Sequence, residues 1–320
     1  MPTPATSPIG YGRIVSSGFE ITPEQVVDGV NERYGRHPGY RALHAKGRYY
    51  KATFTATPEA AGLTRAAHMQ GEPISTLVRL SNGAGDPNSK DYVPDVRGMA
   101  VSFELPDGSR TDILGQTAPN FPINTPEGFV EVVQANVAGL ARLWKFPAFL
   151  AKHPDAIPGL PGNLAALKPP LSYATRRYYP IHAFKWVNAD GGEQYVRYTW
   201  LPEAGEQTIS QGEAKKAGAD YLQEEMLERL ANGPARFTFQ LQLAAEGDRT
   251  DDPRKKWPED RETVAAGTLE ITELDPSAET GGELIVFDPM RLTDGIEPSD
   301  DPILRYRPGA YSVSAERRSG

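Results

Sequence analysis

The chain has 320 residues, with 34 Lys and Arg against 42 Asp and Glu, a net charge of −8 at pH 7, and no cysteine. The missing cysteine excludes disulfides, thiolate nucleophiles, iron–sulfur clusters and thiolate-ligated metal centres, and the acidity argues against duplex DNA and anionic membranes as main partners, since both reward basic surfaces. Gly and Pro, at 31 and 29 residues, point to a loop-rich fold of many short elements.

The start, MPTPATSPIGYGR, lacks the apolar stretch of a secretory signal, and no run approaches the ~18 apolar residues of a membrane-crossing helix. A cytoplasmic chain with no membrane span and no nucleic-acid partner is therefore expected. Strand signals come first: RYYKATFTA at 48–56, TLVRLS at 76–81 and GMAVSFEL at 98–105, the last ended by the turn at Pro106–Gly108. A helix opens at Thr125-Pro126-Glu127, with Thr125 as N-cap and Pro126 at N1. Val130, Val133, Val137, Leu140 and Trp144 continue it at helical spacing. Residues 154–170 carry no period and read as a long crossover. Strands resume at 181–188 and 194–201 around the ADGGE turn, an amphipathic helix covers 211–231, and strands follow at 236–243 and 263–272. Seven or eight strands in two blocks about a helix imply an antiparallel barrel with helical insertions.

Without cysteine, hard chemistry falls to His, Tyr, hydroxyls, carboxylates or a cofactor. The five histidines, His37, His44, His68, His153 and His182, form neither HExxH nor a paired-His metal spacing, and no GxSxG elbow occurs. Asn82-Gly-Ala-Gly-Asp-Pro has the glycines of a phosphate loop but runs into PNSK rather than a helix start, and reads as a turn. Near the C-terminus, Arg307, Tyr311 and Arg318 fall on one stripe of a helix. Pro308 suits a first turn, which sets Tyr311 near a helix N-terminus. A tyrosine so placed is either an exposed partner in an Arg–Tyr stack or a phenolate. The phenolate, with a reference pKa near ~10, needs a strong cation such as ferric ion as well.

The run FDPMRLTDGIEPSDDPILRYRPGAYSVSAERR resembles the haem-binding stretch of haem catalases. The resemblance implies Tyr311 as the iron's axial ligand, Arg307 as its partner and Arg318 as a propionate contact. RALHAKG at 41–47 is similar to the distal-histidine motif, making His44 the catalytic histidine and Arg41 a propionate contact. VRLSNGAGDP is similar to the segment that turns Arg79 toward haem and sets Ser81 behind the histidine. PDVRGMAVSFELPDG resembles the strand that follows, with Asp95 and Gly98 at channel-lining positions, and DILGQTAPNFPINTPEGF places Phe129 where the family stacks a phenylalanine on haem. IHAFKWVNADGGEQYVRYTW and DPRKKWPEDRETVAAGTLEI follow in order, so the likeness covers 34–318. His37, His68 and His153 match no motif.

The resemblance implies an α+β fold: an eight-stranded antiparallel barrel with helical insertions around buried haem b, without the C-terminal helical domain of full catalases. One domain is expected over 1–320, with an N-terminal arm at 1–33 ahead of the core. Thr117 stands where catalases keep an asparagine; a register one residue earlier would bring Gln116 there instead. A hydroxyl holds peroxide less well than an amide, and the pattern resembles minimal catalases called catalase-related peroxidases. The implied activity is reduction of hydrogen peroxide or organic hydroperoxides by small organic donors, with weak catalase activity, in a monomer or homodimer. Trp257 is present but Glu259 replaces a histidine, so no NADPH site is expected. The alternatives are a genuine catalase, a fatty-acid hydroperoxide isomerase resembling allene oxide synthase, and a haem-binding protein without turnover.

Overall fold

A computed structural model describes residues 19–136, 142–280 and 284–319. The first element, α1 (Pro23–Tyr34), begins at a capping box: the Thr22 hydroxyl accepts the Gln25 N–H while the Gln25 side chain accepts the Thr22 N–H. It lies within the stretch assigned to an arm, and it packs on two later helices, α3 and α9, defined below. The first block then runs β1 (Gly47–Ala56), α2 (Pro58–Leu63), β2 (Ile74–Asn82), β3 (Arg97–Glu104) and β4 (Arg110–Gln116). The middle holds α3 (Pro126–Ala135), α4 (Arg142–Lys152) and α5 (Leu160–Ala166). The second block runs β5 (Ala183–Val187), β6 (Glu193–Pro202), α6 (Gln211–Ala217), α7 (Tyr221–Asn232), β7 (Ala235–Leu243), β8 (Thr263–Leu274), α8 (Ser277–Thr280), β9 (Ile296–Pro298) and α9 (Pro302–Ser319).

The strands among the described residues form one antiparallel sheet of nine, ordered β4-β3-β2-β1-β8-β7-β6-β5-β9. Seven of them match the strand segments read from the sequence; β4, which was not singled out, brings the number to the eight expected of the barrel, and the short β9 is added on β5. The sheet curls, because the last residue of β4 bridges Tyr179, just ahead of β5 at the other end of the strand order. Alternation decides what faces the interior: in β7, Phe237, Phe239 and Leu241 are buried while Arg236 is exposed. Phe54, Phe103, Trp200 and Phe239 meet edge-on or tilted at centroid distances of 4.5–6.1 Å, filling the core.

Four expectations change. The helix opened by Thr125, whose hydroxyl accepts the Gly128 N–H at 3.1 Å, ends at Ala135. Val137 and Leu140 lie outside the described residues, and Trp144 belongs to α4, where it is exposed. The 154–170 crossover contains a 3-10 turn (Pro154–Gly159) and α5, because proline occupies the opening turn of each. The helix over 211–231 is two, α6 and α7, divided at Gly218, whose φ of 121° no ordinary side chain adopts readily. Finally, α9 starts at Pro302, so Pro308 is interior and Tyr311 lies in mid-helix, not at an N-terminus.

Candidate active site

His44 sits on the segment before β1 with a φ of 55°, a conformation costing roughly 1–2 kcal/mol for an L-residue. Backbone bonds to the glycine turn after β2 hold it there: His44 N–H to the Gly83 carbonyl and Ala45 N–H to the Ala84 carbonyl, both 3.0 Å. The turn that resembled a phosphate loop is thus a clamp for the histidine. Asp95 fastens the same turn, its Oδ2 accepting the Ala84 N–H at 2.8 Å, and burial raises its carboxyl pKa.

The His44 ring bonds through Nδ1 to the buried Ser81 hydroxyl at 3.1 Å. Ser81 and Gly98 are register partners on β2 and β3. A Cβ on Gly98 would lie 2.6 Å from Nδ1, so the ring occupies the space that a side chain there would fill. Burial first, then the charges of Arg79, Arg307 and Arg41, lower the His44 pKa to about 3. The imidazole is therefore neutral at pH 7, as a general base requires. Thr117 is buried one residue beyond β4, and its Oγ1 accepts the Arg97 N–H at 3.0 Å, beside Gly98 in the chain.

Arg41, Arg79 and Arg318 form a cationic cluster. The Arg41 guanidinium donates to the Tyr49 hydroxyl at 2.8 Å and to the Ile285 carbonyl at 2.7 Å. Arg41 and Arg79 both lie over the Tyr49 ring, at 5.7 and 5.6 Å. Burial, and then the charge of Arg41, lower Arg79 to about 9 and Arg318 to about 10. The Nε atoms of Arg79 and Arg318 are buried with no hydrogen-bond partner among the described residues. Like charges brought together with unmatched donors are costly unless an anion joins them. A cofactor carrying two carboxylates supplies that anion, so the cluster fits haem propionates.

On α9, two nitrogens of Arg307 donate to the Tyr311 hydroxyl, Nε at 3.0 Å. The third nitrogen donates to Nε2 of His182 at 2.9 Å. Arginine cannot accept, so Nδ1 of His182 carries the proton and donates it to Asp301 at 2.6 Å. The other Asp301 oxygen accepts the Ile303 and Leu304 N–H groups and caps α9. The Tyr311 oxygen thus faces a fixed guanidinium rather than a helix end. A phenol with two charge-assisted donors on its oxygen is a suitable oxygen ligand for ferric iron. The Ala42 N–H donates to the Ser314 hydroxyl at 3.3 Å, tying α9 to the His44 segment.

Phe129 stacks on Phe121 at 5.6 Å, against a cluster holding Ile123, Phe149 and Ile303. The remaining histidines serve structure: His37 bonds the Tyr34 carbonyl, His153 bonds Glu131, and His68 is buried against Phe103. Sequence reasoning did not single out Tyr49, His182 or Asp301. Asp301 had a local signal, an aspartate just before Pro302 at a helix start; His182 lay in a segment similar to the family but carried no sign of its partners, and Tyr49 had no signal.

A family model described as Catalase matches residues 32–320. The chain is 45% identical over 300 residues to a catalase-related peroxidase of Mycolicibacterium paratuberculosis, covering 94% of this chain and 96% of that protein. It is 33% identical over 315 residues to a catalase-related peroxidase of Synechococcus elongatus, covering 97% and 93%. A fungal catalase crystal structure superposes with a TM-score of 0.79 at 22% identity, over 99% of this chain and 66% of that one, a likeness of fold.

Proposed function

The chain belongs to the catalase family, and from that membership we propose a haem peroxidase in which peroxide is the oxidant, a small organic molecule the reductant, and haem b, held through Tyr311, the cofactor. The observation that carries the reading is the His44 ring, backed by Ser81 and Gly98, together with a phenol clasped by Arg307 on the helix tied to the His44 segment.

Haem bound there would supply redox chemistry for cleaving the peroxide O–O bond and oxidising a donor. With its proton on Nδ1 toward Ser81, His44 has Nε2 free to take a proton from one peroxide oxygen and return it to the other as water leaves. Arg307 stabilises negative charge on the Tyr311 oxygen, and the Asp301–His182 pair fixes the guanidinium. Arg41, Arg79 and Arg318 would neutralise the propionates and Phe129 would supply an apolar contact, while Asp95 holds the turn that clamps His44. Thr117 orients peroxide through its hydroxyl proton while its oxygen carries the Arg97 N–H. That single short donor grips a second peroxide weakly, which supports donor oxidation over disproportionation.

Oxygen release and phenol oxidation, followed side by side on the haem-loaded protein with hydrogen peroxide, test this. Fast phenol oxidation with slow oxygen release is expected. Rapid oxygen release that a phenol does not alter would make the chain a catalase in activity as well as in family.

A further inference from the structure

A cleft of about 240 Å³ opens where the end of α1 and the turn after it face α9; Arg36, His37, Tyr40, Arg41, Ser314 and Arg317 line it. Arg41 belongs both to this cleft and to the cationic cluster, through its bonds to Tyr49 and the Ile285 carbonyl. Ala42, also in the lining, is two residues from His44 and is bonded to Ser314. Cleft and cofactor site therefore share a wall, on the edge marked by the arginines.

The lining chemistry selects a ligand. Tyr40 is 51% exposed, so its aromatic side chain is accessible at the cleft. Arg36, Arg41 and Arg317 bring three positive charges, and a single Asp28 oxygen pairs with both Arg36 (3.0 Å) and Arg317 (2.8 Å). Set against Asp28 and against Glu24, which also acts on Arg317, one positive charge is left over, on a chain whose net charge is −8. The volume falls below the roughly 300–1,000 Å³ of sites for drug-sized ligands, so it suits a molecule of one ring. We propose that this cleft binds the electron donor, a one-ring phenol carrying a carboxylate, with its ring on Tyr40 and its carboxylate at Arg36 and Arg317.

This assignment rests on the peroxidase reading and adds the donor class to it. Each phenol gives up one electron and the proton of its O–H bond; the O–O bond of one hydrogen peroxide breaks, and two phenols yield two phenoxyl radicals and two waters. Phenol is oxidised and peroxide reduced, with no other reactant.

The probe is para-hydroxyphenylacetate, titrated by saturation-transfer NMR into the haem-loaded protein without peroxide, with tyramine as the phenol of opposite charge. Tyr40→Ala and Arg36→Glu, both at exposed positions, are expected to weaken its binding and raise its KM roughly tenfold. The peroxide KM and the visible spectrum should not change, and Arg36→Glu should remove the preference over tyramine. Unchanged donor binding and KM in both variants, with the phenol still oxidised, would overturn the cleft assignment and leave the peroxidase reading standing. A wild-type protein that oxidises neither phenol would overturn both.

Discussion

Gly98 lies flat against the imidazole of His44: a methyl group there would meet Nδ1 at 2.6 Å, Cε1 at 2.7 Å and the Ser81 hydroxyl at 2.8 Å. These neighbours are fixed, because Ser81 is in the sheet and His44 is clamped by two backbone bonds. Gly98→Ala must therefore push the ring off its hydrogen bond. A displacement of about 1 Å in a catalytic group costs on the order of 100-fold in rate. Steady-state peroxide reduction by the variant should fall by about that factor, while its haem content, measured by absorbance, stays near wild type. An unimpaired rate would mean that the ring has room to spare.

His182 tests the support of Tyr311. It touches Arg307, not the phenol, so His182→Leu leaves the Tyr311 oxygen in place and removes the link to Asp301. Loss of such an outer partner typically costs about 10–100-fold in metal affinity or activity. A drop in that range is expected, together with a shifted visible spectrum, because the guanidinium on the Tyr311 oxygen is no longer held in place. Lower activity with an unmoved spectrum would reduce His182 to a packing role.

Seven of the nine strands, all but β4 and the three-residue β9, were legible from alternation and turn residues because those signals are local, as were the Thr125 cap and the Arg307–Tyr311 pair, four residues apart. His182 was not legible as a support for Arg307, since 125 residues separate the two and only the curl of the sheet joins them. Tyr49 read as one aromatic among several in a strand; its position beneath Arg41 and Arg79 depends on the β1–β2 register, in which it opposes Arg79. The position of α9 was misread for a physical reason. Proline is favoured in a first turn but tolerated inside a helix anchored by other contacts, and here the Asp301 cap sets the start six residues earlier than Pro308 suggested.

Arg318 separates folding from cofactor binding. Its buried Nε lacks a partner among the described residues, and Arg41 repels it, so Arg318→Met should stabilise the cofactor-free protein by about 1 kcal/mol. The same change removes a cation proposed to face a propionate, and should weaken haem binding by roughly tenfold or more. Urea midpoints of the cofactor-free protein and haem transfer to a competing apoprotein give the two signs independently. A variant that moves both in the same direction would contradict the cluster's role.

His68 sets an acid limit on stability. Burial lowers its pKa from 6.5 to about 3, and neither ring nitrogen has a partner among the described residues. The unfolded chain then binds the extra proton as pH falls below 6.5, so stability declines through that window and is restored as pH rises. From about pH 7 to about pH 5 this ring alone should cost about 2 kcal/mol. Urea unfolding at the two pH values should show His68→Leu losing that part of the decline. An equal decline in both proteins would place the acid sensitivity elsewhere.

The most direct measurement is the visible spectrum and peroxide-dependent phenol oxidation of Tyr311→Phe. The ring remains but the oxygen that Arg307 clasps is gone. The variant should retain little haem, or hold it with a changed spectrum, and should oxidise phenol at least about 100-fold more slowly. Wild-type haem content, an unaltered spectrum and an undiminished rate in that variant would show that the axial ligand is not Tyr311.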